Sequence, residues 1–293
     1  MIKVALIGVG RTGSEIAKVI MEQEDMQLVM AVCSNHSNKA GKDLGEILHS
    51  KDTGIVIMPA NELSKNLLKY KPDVAIDFSS PEATIRNAEI LTKYNVKMVI
   101  GTTGFTEIQT KKLMMLSNKY HKAGFVLAPN ITLGVNVLML LSNLAASILE
   151  SYDFEIVESH FKGKRDMPSG TAKKIAKELV KGMSTYKDMD IHEFDSHDIP
   201  IHSIRAGGII GRHRVIMAGE HDKIEIIHES FSRKAFALGA LRAVRFIHRK
   251  HGFFEMNDVL DLRHVLTRYL ERETNLKKQK YFDTERIEDQ MPV

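Results

Sequence analysis

Short apolar runs alternate with amphipathic stretches over the first 130 residues of the chain. The runs are nearly free of charge, which is typical of strands buried on both faces of a sheet. Between them, stretches such as 14–22 and 81–94 repeat apolar residues at helical spacing. This alternation predicts an α/β fold with a doubly wound parallel sheet covered by helices. The predicted strands are 4–7, 28–32, 74–78, 98–100 and 125–128.

The pattern changes after residue 130, where an apolar stretch at 135–149 predicts a buried helix and 153–158 a strand. A second amphipathic helix is expected after Pro168, and 184–202 is polar and irregular. Residues 214–218 and 223–229 then alternate like antiparallel strands around a turn at 219–222. We therefore expect a first domain at 1–130 and a second, α+β domain at 131–236.

The end of the chain divides into two parts. Residues 236–249 are helical in pattern, and we expect 237–264 to pack back onto the first domain. Residues 265–293 form a charged C-terminal extension with few apolar anchors from Arg268 onward. Such a composition predicts either a solvated helix or partial disorder.

A glycine turn joins the first predicted strand to the first helix. Its glycines are Gly8, Gly10 and Gly13, with Arg11 and Thr12 between the last two. In this strand–turn–helix setting the spacing is typical of dinucleotide binding, because the glycines let the backbone approach a pyrophosphate at a helix N-terminus. We expect all five residues to contact the cofactor.

The end of the second predicted strand indicates which cofactor is bound. Residues 31–37 contain no carboxylate that could bind the ribose of NAD. Ser34, Asn35 and Arg11, together with His36 or Lys39, could instead surround a 2′-phosphate. This favours NADPH, with NADH possible; alternatively, these are ordinary polar loop residues.

Two further segments follow predicted strands, Gly101-Thr102-Thr103 and Ala128-Pro129-Asn130. Ligands of open α/β sheets bind at the carboxyl ends of strands, so both segments are candidates for the nicotinamide end of the site. Phe78 is the last residue of the predicted strand 74–78, and we add it to the candidate cofactor residues.

The segment 158–172 concentrates cations beside a histidine. His160, Lys164 and their basic neighbours precede Ser169-Gly170-Thr171, which starts a helix. Histidine delivers protons near neutral pH, lysine pairs with carboxylates, and a helix start offers free N–H groups. The stretch predicts an anion-binding pocket with a proton donor; the alternative is a solvated basic loop before a capped helix.

Bulk composition excludes some classes of function. The net charge is +4 and the cations are scattered, and with no tryptophan present we expect no nucleic-acid partner. A single cysteine, Cys33, leaves no disulfide framework and fits the cytoplasm. His192, His197 and His202 lack zinc-motif spacing, so no metal is expected. We see no signal-peptide layout and no run long enough for a membrane span.

Several blocks in the same order resemble the 4-hydroxy-tetrahydrodipicolinate reductase (dihydrodipicolinate reductase) family over nearly the whole chain. The most specific block is H-x-x-x-K-x-D-x-P-S-G-T-A, starting at His160. The other blocks are the glycine turn, 76–79, 101–105, 128–130 with 134–136, 205–207 and 232–236.

The resemblance implies a function and roles for residues. Members transfer a hydride from NADH or NADPH to an unsaturated cyclic dicarboxylate on the diaminopimelate route to lysine, as homotetramers assembled through the second domain. His160 would be the acid/base residue and Lys164 the proton donor or substrate anchor. Ser169, Gly170 and Thr171 would hold a substrate carboxylate, and the segments 101–103 and 128–130 the nicotinamide.

The chain departs from the family at four points. Phe161 replaces a second histidine that contacts substrate, and Arg212 replaces a glutamate. The glycine turn is one residue shorter, and the chain continues for about 30 residues beyond Leu262. The alternatives are therefore a related reductase or dehydrogenase of another cyclic imine or amino acid, or a cofactor-binding protein without turnover.

Overall fold

The structure, a computed structural model, describes residues 1–185, 198–262 and 264–272. Contacts divide the chain into a unit of Met1–Val259 and a unit of Leu260–Val293. In the second unit, residues 264–272 are helical and mostly exposed. The rest of the predicted charged extension lies outside the described residues. No helix in the described ranges is both long and apolar enough to cross a membrane.

The first unit contains two sheets. A seven-stranded parallel sheet has the strand order β11-β6-β5-β4-β1-β2-β3 when strands are numbered along the chain. Its strands are β1 (Ile2–Ile7), β2 (Met26–Cys33), β3 (Ile57–Pro59), β4 (Val74–Asp77), β5 (Lys97–Ile100), β6 (Gly124–Leu127) and β11 (Gly252–Glu255). The second sheet has the order β10-β9-β7-β8, from β7 (Asp153–His160), β8 (Ile201–Arg205), β9 (Arg212–Ala218) and β10 (Lys223–Glu229).

Helices flank both sheets, and four of them begin at a side-chain cap. The helices are α1 (Arg11–Met21), α2 (Leu44–Leu48), α3 (Leu63–Tyr70), α4 (Pro81–Lys93), α5 (Glu107–Lys119), α6 (Leu133–Ala146), α7 (Gly170–Met183), α8 (Lys234–Ile247) and α9 (Met256–Leu260). Ser80 caps α4, with proline at its first position, and Thr106 forms a capping box with Gln109 at α5. Ser169 caps α7, which fixes where that helix starts.

Apolar cores lie between these layers, and two of them form around the following clusters of described residues. The first lies between the parallel sheet and its helices and contains fully buried residues of nearly every strand, such as Ala5, Met30 and Phe125. The second lies between the mixed sheet and helices α6 and α7, around Ile156, Ile175 and Val215. The predicted α/β fold with a parallel sheet and an additional α+β part is confirmed.

The chain returns to the first sheet after completing the second. Helix α8 packs against α1, β4, β5 and β6, and β11 pairs with β6 in parallel. The functional division into domains 1–130 and 131–236 stays a prediction.

Three strands are absent from the sequence interpretation: β3, β8 and β11. The expectation of an irregular 184–202 is wrong at its end, since β8 begins at Ile201. Residues 186–197, including His192 and His197, lie outside the described residues.

Candidate active site

A cavity of about 280 Å³ opens at the carboxyl ends of β1, β4, β5, β6 and β7. It brings residues from the glycine turn and the strand ends together with His160, Lys164 and Thr171. The predicted site residues that line it are Arg11, Thr12, Phe78, Gly101, Thr103, Pro129, Asn130, His160, Phe161, Lys164 and Thr171. Predicted site residues up to 160 positions apart in the sequence, from Arg11 to Thr171, therefore share one cavity.

His160 ends β7 and is held by a carboxylate two residues earlier. Its Nδ1 forms a short hydrogen bond with Oε2 of Glu158. The Glu158 side chain is fully buried, and that of His160 is 10% exposed. The other ring nitrogen, Nε2, lies near Gly211, where an added Cβ atom would approach it to 3.3 Å. The imidazole is thus fixed on one side while lining the cavity.

Glu158 accepts from several donors on its other oxygen. Ser203 Oγ and Arg205 Nη2 each donate to Oε1 at 2.7 Å, and the backbone N–H of Ser169 donates at 3.3 Å. Burial raises the pKa of the Glu158 carboxyl, but hydrogen bonds from His160, Arg205 and Ser203 outweigh it and hold that pKa far below its usual range. Glu158 is therefore a carboxylate near neutral pH.

Lys164 lies four residues beyond His160 and pairs with Asp166, with Nζ 2.8 Å from Oδ1. Burial raises the pKa of Asp166, but Lys164 and the N–H of Gly170 lower it by more. The pKa of Asp166 is therefore below its usual value. Lys164 is 22% exposed and Asp166 is 52% exposed. The ammonium group therefore stays accessible to an anion in the cavity.

The start of α7 is fixed from two sides. Ser169, a predicted substrate residue, is buried. Its Oγ accepts from Ala172 N at 3.2 Å, so the hydroxyl serves as the helix cap. Thr171 Oγ1 donates to Asn130 Oδ1 at 2.6 Å. The Nδ2 group of Asn136 donates to the Asn130 carbonyl at 2.8 Å, which holds Asn130 in place. Gly170 is exposed and lies in an adjoining groove with Lys164, Lys173 and Lys177.

His213 and His228, on β9 and β10, also line the cavity; His213 is buried and His228 is half-buried. The ring centroid of His213 lies 5.2 Å from that of His160 in an edge-on arrangement. Burial, reinforced by the charge of His160, lowers the pKa of His213 to about 3. Burial also lowers the pKa of His228. Both rings are therefore neutral near neutral pH.

Glu158, His160 and His213 place ligand-type atoms within 4.8 Å of one another. The direct hydrogen bond between Glu158 and His160 fills the space that an ion between them would need. Arg205 further neutralises the carboxylate. Glu158 and His160 are better described as a hydrogen-bonded pair, with His213 edge-on to the imidazole, than as a metal site.

Phe161 follows His160 and carries the guanidinium of Arg11 over its ring, with Cζ 4.5 Å from the centroid. Arg11 was expected near a 2′-phosphate, but it contacts Phe161 and lines the cavity that contains His160. The contact therefore joins the glycine turn to the segment predicted to bind substrate.

The glycine turn borders a second cavity, of about 370 Å³. Gly8 has φ 98°, and a Cβ atom there would lie 2.4 Å from the Phe78 carbonyl oxygen. At Gly10, by contrast, a Cβ atom would point into open space and meet nothing within 4 Å. Gly13 is buried, and a Cβ atom there would lie 1.9 Å from the Gly8 oxygen. The backbone thus leaves room for a pyrophosphate beside Gly10, and the cradle fits a dinucleotide.

The same cavity is lined by Ser34, Ser37 and Lys39, and Lys39 Nζ donates to the Val9 carbonyl. No carboxylate lines it among the described residues. Asn35 instead accepts from the backbone N–H of Asn61 at 2.8 Å. The environment expected for the ribose end is therefore polar and carries a cation.

Two predicted cofactor residues are buried beneath the cavities. Thr102 Oγ1 accepts from Ser79 N at 3.0 Å and bonds the carboxylate of Asp77, which is itself fully buried. Ala128 is 1% exposed. Their side chains support the strand ends, so any contact with a cofactor is left to their backbone atoms.

Sequence reasoning missed Glu158 and Ser203 as parts of the site, and assigned no role to Arg205. One signal was available: Glu158 occupies the same face of β7 as buried Phe154 and Ile156. A carboxylate at an inward position of a strand requires buried donors. Those donors are more than 40 residues away, so their identity was not readable.

Two family models and several curated relatives match this chain. A family model described as "Dihydrodipicolinate reductase, N-terminus" matches residues 2–131, and one described as "Dihydrodipicolinate reductase, C-terminus" matches residues 134–260. The 4-hydroxy-tetrahydrodipicolinate reductase of Methanocaldococcus jannaschii is 38% identical over 274 residues, covering 90% of this chain and 99% of the relative. That of Methanosarcina acetivorans is 39% identical over 267 residues, covering 89% and 100%.

Solved structures agree on the fold. A dipicolinate-bound dihydrodipicolinate reductase from Paenisporosarcina sp. TG-14 is similar with a TM-score of 0.68 and 29% identity, covering 87% of this chain and 97% of that one. An amine dehydrogenase from Mycobacterium smegmatis reaches a TM-score of 0.62 at 12% identity, covering 86% and 94%. At that identity only the fold is shared.

Proposed function

The chain belongs to the dihydrodipicolinate reductase family, and we propose that it reduces 4-hydroxy-tetrahydrodipicolinate to tetrahydrodipicolinate with a pyridine nucleotide. Overall, one hydride and one proton enter the substrate and one water leaves, which balances the reaction. The observation that carries this proposal is the shared cavity of His160, Lys164 and Thr171 with Gly101, Thr103 and Asn130. It combines an anion site, a proton donor and the strand ends that bind nicotinamide in such folds.

The substrate is a dicarboxylate, and the α7 start offers one of its carboxylates a binding site. The ammonium group of Lys164 and the N–H groups of Gly170 and Thr171 converge there, and a helix N-terminus favours negative charge. Asp166 already pairs with Lys164 at 2.8 Å, so a substrate carboxylate would compete with that ion pair. Phe161 adds an apolar wall, and Ser169 keeps the helix start rigid through its cap.

His160 is the proposed acid/base residue. Its imidazole lines the cavity and is fixed through Nδ1, so a proton can be delivered from the opposite side of the ring. Lys164 is a second proton donor within the same cavity. We assign His160 the proton transfer and Lys164 the anchoring of substrate, with Lys164 able to donate when substrate binds.

A dinucleotide fits along the two cavities beside the glycine turn. Gly8, Gly10, Arg11, Thr12 and Gly13 would hold its phosphates. Ser34 would hold its ribose end, and Phe78 with the segments 101–103 and 128–130 its nicotinamide end. When bound in reduced form, the cofactor supplies the hydride.

We propose that NADPH is preferred over NADH. Support comes from Lys39 and Ser34, which line the cavity expected to hold the ribose end, and from the absence of a lining carboxylate among the described residues. A lysine attracts a 2′-phosphate, whereas a carboxylate would repel it. NADH remains a usable substrate in this proposal, since the pyrophosphate and nicotinamide contacts are common to both.

We also propose a homotetramer assembled through the second sheet, in the cytoplasm. Ile227 alternates along β10 with Ile226, which packs on the core, so Ile227 lies on the opposite face. Ile204 and Ile227 are 46% and 48% exposed there. A mass measured in solution for wild type and for Ile227→Glu tests this: the variant should give smaller species.

The function is tested by generating 4-hydroxy-tetrahydrodipicolinate in place with the preceding synthase and following cofactor absorbance. Wild type should turn over, and His160→Ala and Lys164→Ala should each lose at least about 100-fold in kcat/KM. Lys162→Ala is the matched control, since this neighbouring lysine is exposed and does not line the cavity.

Binding of NADPH with no turnover by wild type would overturn the proposed function. Assays of other cyclic imines and amino acids would then distinguish a related reductase from a binding protein. If Lys162→Ala lost as much activity as Lys164→Ala, general loss of positive charge would explain the result and the role of Lys164 would be wrong.

A further inference from the structure

Glu158 is a completely buried carboxylate whose two oxygens have different partners. Oε1 accepts from Ser203, Arg205 and the Ser169 N–H, whereas Oε2 contacts only Nδ1 of His160 among the hydrogen bonds of the described residues. An isolated buried carboxylate is costly, and the donors on Oε1 offset that cost. Those donors therefore leave Oε2 available as a fixed acceptor for the imidazole.

We propose that Glu158 is a positioning residue that keeps a proton on Nδ1 of His160 and directs Nε2 into the cavity as the nitrogen that exchanges protons with substrate. This inference rests on the proposed function only for the role of Nε2; the tautomer itself follows from the hydrogen bonds.

The tautomer follows from the chemistry of the pair. An ionised carboxylate can only accept, so a hydrogen bond between Oε2 and Nδ1 requires the hydrogen to be on Nδ1. Nε2 is then the ring position that gains or loses a proton. It lies beside Gly211, where an added Cβ atom would come within 3.3 Å, so a small residue there keeps the approach to Nε2 open.

The charged and titratable groups around His160 support this arrangement. Glu158 precedes it on β7, Arg205 comes from β8, His213 from β9, and Lys164 from the loop after β7. Arg205 donates a hydrogen bond to Oε1 of Glu158 at 2.7 Å, and burial keeps His213 neutral. Glu158 is consequently the one carboxylate hydrogen-bonded to the imidazole among the described residues.

Glu158 also connects the imidazole to the helix that would bind substrate. The Ser169 N–H donates to Oε1 immediately before Gly170 and Thr171. One side chain thus fixes the proton donor and the start of α7 relative to each other. Such supporting hydrogen bonds commonly change activity by 10–100-fold.

The test is Glu158→Gln. Because Arg205 and Ser203 both donate to Oε1, the amide oxygen must occupy that position and the amide NH₂ must face Nδ1 of His160. The ring would then carry its proton on Nε2, the wrong tautomer for accepting a proton there. We expect kcat to fall roughly 10–100-fold, with KM for NADPH changing less than about twofold.

Glu155→Gln is the matched control, because it makes the same change on the same strand at an exposed carboxylate that pairs with the exposed His202. Its kcat should stay within about threefold of wild type. A purely structural role of Glu158 would instead lower the melting temperature and weaken NADPH binding in Glu158→Gln, with kcat falling in parallel. That pattern, or a Glu158→Gln enzyme with full kcat, overturns the proposal.

A measurement on wild type shows which ring nitrogen of His160 carries the proton, even where Glu158→Gln fails to fold or the proposed substrate is wrong. In protein labelled with ¹⁵N-histidine, the His160 signals are assigned by their loss in His160→Gln. At a pH at which the ring is neutral, a proton on Nδ1 supports the proposal. A proton on Nε2 overturns it, whatever reaction the enzyme catalyses.

Discussion

The guanidinium of Arg11 lies over the ring of Phe161, with Cζ 4.5 Å from the ring centroid. Arg11 begins α1 at the glycine turn, and Phe161 follows the last residue of β7. The resemblance implies a substrate-contacting histidine at this position, and this chain has an apolar ring there instead. The stacked guanidinium brings a cation to the same wall of the cavity.

The first prediction concerns this pair. Arg11→Gln and Phe161→Leu should each weaken binding of dipicolinate, the dianion present in the solved relative, because the stacked guanidinium is lost or released. In a double-mutant cycle the coupling free energy should be about 0.5–1 kcal/mol. Titration of the four proteins by calorimetry measures it. Additive effects would mean that Phe161 does not hold Arg11 for the ligand.

The second prediction separates two glycines of one turn. Gly10→Ala should leave the melting temperature unchanged, because its Cβ atom would meet nothing within 4 Å. It should still weaken NADPH binding by at least about tenfold, since that atom would occupy the pyrophosphate cradle. Gly13→Ala should lower both, because its Cβ atom would lie 1.9 Å from the Gly8 oxygen. Thermal unfolding and cofactor fluorescence distinguish the two, and unimpaired binding in Gly10→Ala would argue against the cradle.

The third prediction concerns cofactor choice. Lys39→Gln should lower the ratio of kcat/KM for NADPH to that for NADH by about tenfold, because one cation is removed from the ribose end. Lys42→Gln is the control, since Lys42 is exposed and pairs with Glu46 at 3.6 Å. Equal ratios in wild type and Lys39→Gln would refute the assignment of Lys39 to the 2′-phosphate.

The fourth prediction concerns acid stability. Burial lowers the pKa of His213 from 6.5 to about 3, in an environment that includes Glu158, His160, Lys164 and His228. Between those values the unfolded chain binds a proton that the folded protein does not. The stabilisation is therefore complete above pH 6.5 and decreases as the pH falls from 6.5 towards 3, reaching a loss of about 2 kcal/mol by pH 5.

Urea unfolding at pH 7 and pH 5 tests this. His213→Gln should lose about 2 kcal/mol less free energy of unfolding between the two pH values than wild type does. His221→Gln should behave like wild type, because the His221 side chain is 91% exposed. An unchanged pH dependence in His213→Gln would show that other groups cause the acid sensitivity.

Much of the fold could be read from the sequence because buried parallel strands are nearly pure apolar runs. The strands β1, β2, β4, β5 and β6 fall on the predicted runs, with ends shifted by one or two residues. The strands β3, β8 and β11 were missed because they have three to five residues and lie at sheet edges. Partial exposure weakens the pattern of an edge strand, and its pairing depends on residues far away in the chain.

The site was readable in its parts but not in its connections. His160, Lys164 and Thr171 share one motif, so local sequence was sufficient to single them out. The link from Glu158 to Arg205 spans 47 positions and depends on the parallel pairing of β7 with β8. No local pattern encodes that register, since β8 lies beyond residues with no periodicity.

The return of the chain to the first sheet has a consequence for synthesis. Strand β11 pairs with β6 only after the whole second sheet has been made, about 125 residues later. On the ribosome, the edge of β6 therefore stays open while residues 128–251 emerge, and the apolar face that α8 covers stays open until α8 has emerged. Protein chains elongate at about 5–20 residues per second, so this interval lasts roughly 6–25 seconds. During this interval the nascent chain exposes an unpaired strand edge. Such an edge is prone to aggregation, and chaperones protect nascent chains that expose one.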